Sequence, residues 1–371
     1  MPYRALTIDT NVAYGGGFDF EHGLLRQLQQ FHGTDGRFIL SAIVEAEILK
    51  RLREMTSSTR DKFISVAQDA FDRRLLADDF RQAADALTAA LVEPKAAARA
   101  HLDAFLQTTG ASLVPVDLAP MADLVRMYFD PTAPFEASGA KKAEFPDAIA
   151  LLSLEAWARR HGKVLAVSKD KGWREFAEQS VHLDVVESLG AALAVFQEQA
   201  TAEKAAKTVG AVLGRVRAGE LQELAAELTA RLETRTEELD PDISADSYHQ
   251  LDFELTGLAF KGYALAGEPE DDFDVTIVRI EDGLIVVTAP VLIRATVQAS
   301  FHLLHWDSID REYISLGNQH EEHEAEFSFD ALITLIGDID EPDTLQIEDV
   351  ELVNGSADVD FGEIEMDRGE G

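Results

Sequence analysis

Val164-Leu165-Ala166-Val167-Ser168-Lys169-Asp170 decides the fold. Four apolar residues end on a hydroxyl, a lysine and a carboxylate, and so short and apolar a run reads as a strand buried on both faces. Upstream, Pro146 opens a strongly periodic helical stretch that lasts to about Arg160. The N-terminal segment repeats the device, because Tyr3 to Ile8 is short and β-prone and stops at Asp9-Thr10-Asn11, residue types that favour turns. Phe38 to Leu40 then leads through Ser41 into a helical run from about Ala42 to Glu54. Strands alternating with helices imply a parallel α/β sheet covered on both faces.

Working outward, Arg60 to about Gln107 is helical throughout, with Pro94 as a break, and makes a helical arm. Ser112 to Val116 is a short β-like run, and Met121 to Phe129 is helical. Asp130 to Lys142, with Pro131, Pro134 and Gly139, has no sustained period and reads as a long loop of the kind that carries function. From Glu203 to about Glu238, Val209, Val212, Val216, Leu221, Leu224, Leu228 and Leu232 recur at helical spacing, as one connecting helix or a pair broken near Gly219. After Asp240-Pro241-Asp242 the character changes to strands. Phe273 to Ile280 and Leu284 to Thr288 flank Glu281-Asp282-Gly283 as a hairpin, and Val291 to Leu304, Glu326 to Ile336, Leu345 to Val353 and Ala357 to Glu365 follow as further strands. The expected organisation is an α/β domain over residues 1–195, a helical linker over 196–245 and an acidic antiparallel β-sandwich-like domain over 246–371.

Charge supports two bodies with different tasks. The 371 residues carry a net charge of −35. Residues 1–200 hold 22 Lys/Arg against 28 Asp/Glu, a net of −6, whereas residues 201–371 hold 11 against 40, a net of −29. Such an excess repels a phosphate backbone, so nucleic acid is not expected on the C-terminal half. Cysteine is absent, which excludes disulfides, zinc-thiolate sites and thiol nucleophiles. The opening residues Met1 to Asp9 hold no apolar stretch of signal-peptide length, and no later segment approaches the roughly 20 apolar residues that span a bilayer. A cytoplasmic protein without membrane association is expected.

Four carboxylates carry the chemistry. Asp9 and Asp170 each follow an apolar strand, and in an open parallel sheet ligands bind in the crevice beyond the carboxyl ends of the strands. Glu47 and Asp147 lie near the starts of helices, where the macrodipole favours acids. Each has an ordinary explanation alone: an Asx-turn at Asp9 and Asn11, an N-cap at Asp170, dipole compensation at the other two. A doubly wound sheet brings all four to one edge, and four such acids cannot all ionise close together without a counter-ion. Oxygen-only ligation suits magnesium or manganese, and the reaction class that follows is metal-assisted hydrolysis of a phosphodiester. A phosphatase acting through Asp9 is disfavoured because the Asp-x-Asp nucleophile motif is missing.

The order Asp9-Thr10-Asn11, Ser41-Ala42-Ile43-Val44-Glu45-Ala46-Glu47, Glu144-Phe145-Pro146-Asp147-Ala148 and Val167-Ser168-Lys169-Asp170 resembles the PIN-domain nucleases. The nearest likeness is to the bacterial PIN-like subgroup with a Lys-Lys-x-Glu-Phe-Pro-Asp-Ala segment, matched by Lys141 to Ala148. The resemblance covers residues 1–195. It implies that Asp9, Glu47, Asp147 and Asp170 are the acidic metal-binding and catalytic quartet, that Thr10 and Asn11 shape the first loop, and that Ser168 is the hydroxyl before the last acid. Glu45 competes with Glu47, which the spacing from Ser41 favours, and Glu144 is a supporting acid. Many relatives carry a second acid shortly after the fourth, whereas this chain reads Asp170-Lys171-Gly172-Trp173. The implied activity is a Mg2+- or Mn2+-dependent endonuclease, with RNA preferred over single-stranded DNA, leaving a 5′-phosphate and a 3′-hydroxyl. Such domains often act as toxins, as in toxin–antitoxin pairs, or as defence effectors.

On the substrate side, Lys141 and Lys142 beside the acids either meet a phosphate or, as exposed paired lysines more often do, stay solvated. The arm from Lys50 to Arg81, with 8 basic and 6 acidic residues, is locally basic and lines a nucleic-acid path or forms a solvated face. The rival to catalysis is a PIN-like module that grips nucleic acid or a protein without cutting. Gly15-Gly16-Gly17 lacks the Gly-Lys-Ser/Thr continuation of a phosphate loop. His302 and His305 point to opposite faces of a strand, and His320-Glu321-Glu322-His323-Glu324 reads as a solvated acidic loop. For the acidic domain the expected roles are a basic protein partner, an intramolecular contact with the nuclease half, or a charged scaffold. A homo-oligomer is compatible with the composition.

Overall fold

The computed structural model describes residues 2–75, 78–135, 144–265, 273, 275–281, 283–307 and 312–365. The chain divides into two compact units, Met1–Phe196 and Gln197–Gly371.

In the first unit, β1 (Ala5–Ile8) leads into α1 (Thr10–Gly15) and the single turn α2 (Gly23–Arg26). β2 (Arg37–Ser41) feeds α3 (Ala42–Asp72), followed by α4 (Asp78–Ala90), α5 (Pro94–Thr109), β3 (Ser112–Val114) and α6 (Met121–Phe129). α7 (Phe145–His161), β4 (Val164–Val167), α8 (Lys171–Gln179), β5 (Leu183–Val186) and α9 (Leu189–Val195) complete it. The five strands form one parallel sheet in the order β3-β2-β1-β4-β5. β1 is the central strand with β4 paired beside it, and all eight of their residues, Thr7 included, are buried. The chain leaves β1 towards one side of the sheet for β2 and returns on the other at β4, so a topological switch point opens between their carboxyl ends.

Sequence punctuation sets the helices. Ser41 caps α3 by accepting from the Ile43 backbone N–H at 3.3 Å. Pro94 starts α5 and Gly110 ends it at φ 64°. One expectation is corrected: the helix after Ser41 does not stop near Glu54 but continues as a single 31-residue α3. The polar run Thr56-Ser57-Ser58-Thr59 interrupts the apolar period without interrupting the backbone ladder, since it contains neither Gly nor Pro. Thr56 Oγ1 is absorbed by donating to Leu52 O at 2.7 Å.

The second unit begins with α10 (Gln199–Arg217) and α11 (Gln222–Glu237), parted at Gly219 with φ 76°. Its strands are β6 (Asp242–Asp246), β7 (Gln250–Leu265), β8 (Thr276–Glu281), β9 (Leu284–Asp307), β10 (Glu312–Ile336), β11 (Gln346–Val353) and β12 (Asp358–Glu363). An antiparallel sheet runs β11-β10-β9-β7 with β8 also paired to β9, while β12 and β6 form a separate parallel pair. Residues 196–245, expected as a linker, supply Val209, Val212, Leu213, Val216, Leu228 and Leu232 to the same core as the inward face of the sheet. The covering layer there is helical. At the other end, Ile243, Ala245, Phe361 and Ile364 from the β6–β12 region lie on Ala299, Phe301 and Leu303, and the layering is sandwich-like.

Two strand expectations change. Leu284–Thr288 and Val291–Leu304 are one strand, and Pro290 sits where the partner on one side changes from β8, whose Thr276 faces Thr288, to β7, whose Leu265 faces Val291. A missing N–H costs little between two partners. His320 to Glu324, expected as a loop, belongs to β10 and pairs with Ser300 to Thr296 of β9. Charged side chains on a paired strand remove the alternation by which strands are recognised. Among the described residues no helix is long and apolar enough to cross a membrane.

Candidate active site

Asp9 leaves the end of β1, occupies the N-cap position of α1 without a side-chain capping bond and is only 4% exposed. Its neighbour across the β1–β4 pair is the end of β4, because Ile8 is in register with Val167. Ser168, fully buried one residue beyond, donates its hydroxyl to Asp9 Oδ2 at 2.8 Å and accepts from the Asp170 backbone N–H at 3.0 Å. One hydroxyl therefore joins the two strand-end acids. Asn11 Nδ2 donates to the same Asp9 oxygen at 3.3 Å, and Thr10 Oγ1 donates to Glu47 Oε2 at 2.6 Å, which brings α3 to the mouth of β1.

Trp173 holds the remaining acids. Asp170 caps α8 by accepting the Trp173 backbone N–H at 3.1 Å, and the Trp173 indole Nε1 donates to Asp147 Oδ1, in the first turn of α7, at 2.9 Å. The ring is completely buried, so its single donor has a fixed direction. Gly172 lets this turn form: a Cβ there would lie 2.9 Å from Pro134 Cβ and 3.0 Å from Asp170 Oδ1. The position at which many relatives place an extra acid is thus closed by packing.

The four carboxylates act on one another. Burial is the main cause that raises the Asp9 carboxyl above its ordinary range; bonds from Ser168 and the Thr10 backbone oppose the rise, and the charges of Asp170 and Glu47 add to it. Asp147 is pushed up to about 6, first by burial, against the Trp173 bond, with further contributions from Asp9, Asp170 and Glu47. Among the described residues none of the four has a Lys or Arg partner. The donors that restrain them are hydroxyls, amides and an indole, which orient carboxylates without cancelling their charge. No three acids or imidazoles among the described residues already stand close enough to hold an ion. All-oxygen donors, mutual repulsion and the lack of a Lys or Arg partner among the described residues nevertheless fit a hard divalent cation.

The structure separates Glu45 from Glu47. Glu45 is ion-paired with Arg99 of α5, whereas Glu47 faces Thr10 and is felt by Asp9 and Asp147. Glu144 immediately precedes α7. Lys141 and Lys142 lie outside the described residues. Sequence reasoning missed Trp173 as a site residue and Arg99 as the partner of Glu45. An aromatic three residues after Asp170 in the polar run Lys171-Gly172-Trp173-Arg174-Glu175 was the available signal for the first.

A five-stranded parallel sheet with acids gathered at its switch point defines an α/β fold with a strand-end site. Residues 6–173 match the family model of the PIN domain, and the N-terminal unit is a PIN domain: a nuclease-type fold, usually metal-dependent. No curated protein and no solved structure is significantly similar to the chain.

The electrostatics give a stability prediction. The native state keeps a proton on Asp147 up to about pH 6, while an ordinary aspartate loses it near 3.8. The raised group therefore weakens the metal-free fold increasingly as pH climbs through that window, and most above it. Asp147→Asn, which can still accept from Trp173, is expected to stabilise the metal-free protein by about 1–2 kcal/mol at pH 7.5, a figure reduced for partial exposure. The gain should vanish near pH 4. Thermal melts of both proteins across this range check it, and equal midpoints at pH 7.5 refute it.

Proposed function

We propose that the PIN domain is an endonuclease that hydrolyses phosphodiester bonds, of RNA in preference to single-stranded DNA, with one Mg2+ or Mn2+ held by Asp9, Glu47, Asp147 and Asp170. The observation that carries this reading is the mutual electrostatic coupling of these acids at the strand ends, with no Lys or Arg paired to them among the described residues. When bound, a hard divalent cation polarises the phosphoryl oxygen and eases formation of hydroxide from water. Ser168 and Asn11 hold Asp9 with one oxygen engaged, and Thr10 does the same for Glu47. Trp173 spaces Asp147 from Asp170. A single cation is favoured because Gly172 cannot be replaced by an acid without striking Pro134. Glu144 is assigned a supporting role beside Asp147, and Lys141 and Lys142 a substrate phosphate. For the acidic second unit we propose a basic protein partner, and for the whole a cytoplasmic toxin or defence role.

The test is cleavage of labelled single-stranded RNA and DNA by wild type and Asp9→Asn, with magnesium or with EDTA. Wild type should cut only with magnesium and Asp9→Asn should fall to background. Equal cleavage by both would reveal a contaminant, and retained binding without cleavage by either would replace the enzyme reading with a non-catalytic binding module. Trp173→Phe should weaken Mn2+ binding about 10-fold, read by calorimetry, because it removes the one donor that orients Asp147. Unchanged affinity would remove Trp173 from the site. Induced expression in a bacterial host should arrest growth with wild type and not with Asp9→Asn; equal growth would sink the toxin role.

A further inference from the structure

We propose that Tyr14 and Arg51 form a nucleic-acid subsite beside the acid cluster, an unpaired base stacking on the Tyr14 ring and the adjoining phosphate meeting the Arg51 guanidinium. This rests on the nuclease reading above for its ligand.

The Thr10–Glu47 bond ties the first turn of α1 to α3. Four residues further along each helix, one turn or ~6 Å of rise on the same face, stand Tyr14 and Arg51. The guanidinium carbon of Arg51 lies 6.0 Å from the Tyr14 ring centroid, so the second pair repeats the first one turn out and the two helices run side by side from the acids. Tyr14 is 61% exposed, yet its ring is backed edge-on by buried Phe18, with centroids 5.9 Å apart and planes at 72°. It is a supported aromatic surface facing water.

Arg51 is exposed and forms no ion pair among the described residues, although the chain carries a charge of −35. On the same helix Lys50 lies 4.0 Å from Glu54 and Arg60 3.4 Å from Glu93, whereas Arg53, like Arg51, has no ion pair among the described residues. At 6.0 Å the guanidinium rests only loosely on the tyrosine and can swing to a phosphate while a base takes the ring face. An exposed aromatic combined with an uncommitted cation suits single-stranded nucleic acid, whose bases offer free faces, and not a duplex, whose bases are stacked inside. Continuity with the acids sets the register: the stacked base belongs to a nucleotide next to the one whose phosphate reaches the carboxylates.

Binding is measured by fluorescence anisotropy of a short labelled single-stranded RNA, and of its duplex, with the full chain carrying Asp9→Asn in magnesium, so that cleavage does not intervene. Adding Tyr14→Ala should weaken single-strand binding about 10-fold, while Tyr14→Phe, which keeps the ring and its contact with Phe18, should stay within about twofold. Arg51→Ala should weaken binding and lower the slope of log K against log salt by about 1. Duplex binding should be weaker and insensitive to Tyr14→Ala. In the cleaving wild-type chain Tyr14→Ala should raise KM with kcat retained. The subsite is overturned if the parent binds no single strand, if Tyr14→Ala binds as the parent does, or if Tyr14→Phe loses as much as Tyr14→Ala. Binding that follows the expected pattern in a wild-type chain that cuts nothing would leave the subsite standing and end the nuclease reading; robust cleavage with KM indifferent to Tyr14→Ala would do the reverse.

Discussion

A carboxylate almost shut off from water at the end of a fully buried strand has to be held by something, and the rest of the PIN domain is arranged around how Asp9 is held. Burial pushes its carboxyl above the ordinary range. The Ser168 hydroxyl, Asn11 and the Thr10 backbone supply hydrogen bonds to its charged form, yet they bring no positive charge. The arrangement leaves the acids oriented and mutually repelling. That is a costly state for a resting protein and a favourable one for a site awaiting a cation. The topology contributes directly, because β1 at the centre of the sheet and β4 paired beside it both run into acids at the switch point.

Much of this was legible in the sequence. Val164 to Asp170 and Tyr3 to Asp9 are apolar runs that end in carboxylates, and both are the central strands. Pro146, Pro94 and Gly219 mark helix boundaries where expected, because Pro and Gly act on the local backbone whatever surrounds them. What could not be read is what depends on a distant partner. The environments of Glu45 and Glu47 differ because Arg99, more than fifty positions away, pairs with Glu45, and the contact of Trp173 is a bond to a different helix. The length of α3 was hidden by the polar run Thr56 to Thr59, of which Thr56 hydrogen-bonds back within the helix.

In the second unit the difficulty was of another kind. β9 and β10 are both long, and a strand of 24 residues meets three different neighbours along its length, so no single hydrophobic period describes it. Its inner face is recognisable in Ile293, Ala295, Val297, Ala299, Phe301 and Leu303, all buried. In its partner β10 the apolar end, Glu326 to Ile336, is legible as a strand, whereas the charged segment His320 to Glu324 reads as a loop. The helices that close this core showed their apolar stripe plainly, but not that the stripe would be turned onto the sheet.

The bond from Ser168 to Asp9 spans 159 positions of the chain. During synthesis the first of these residues emerges early and waits, and the second follows only when almost the whole domain has been made. Ser168 and Asp170 lie just beyond β4, so a chain cut before that strand lacks both the hydroxyl that joins the strand-end acids and the last acid, and the four carboxylates are complete only when nearly all of the domain is present.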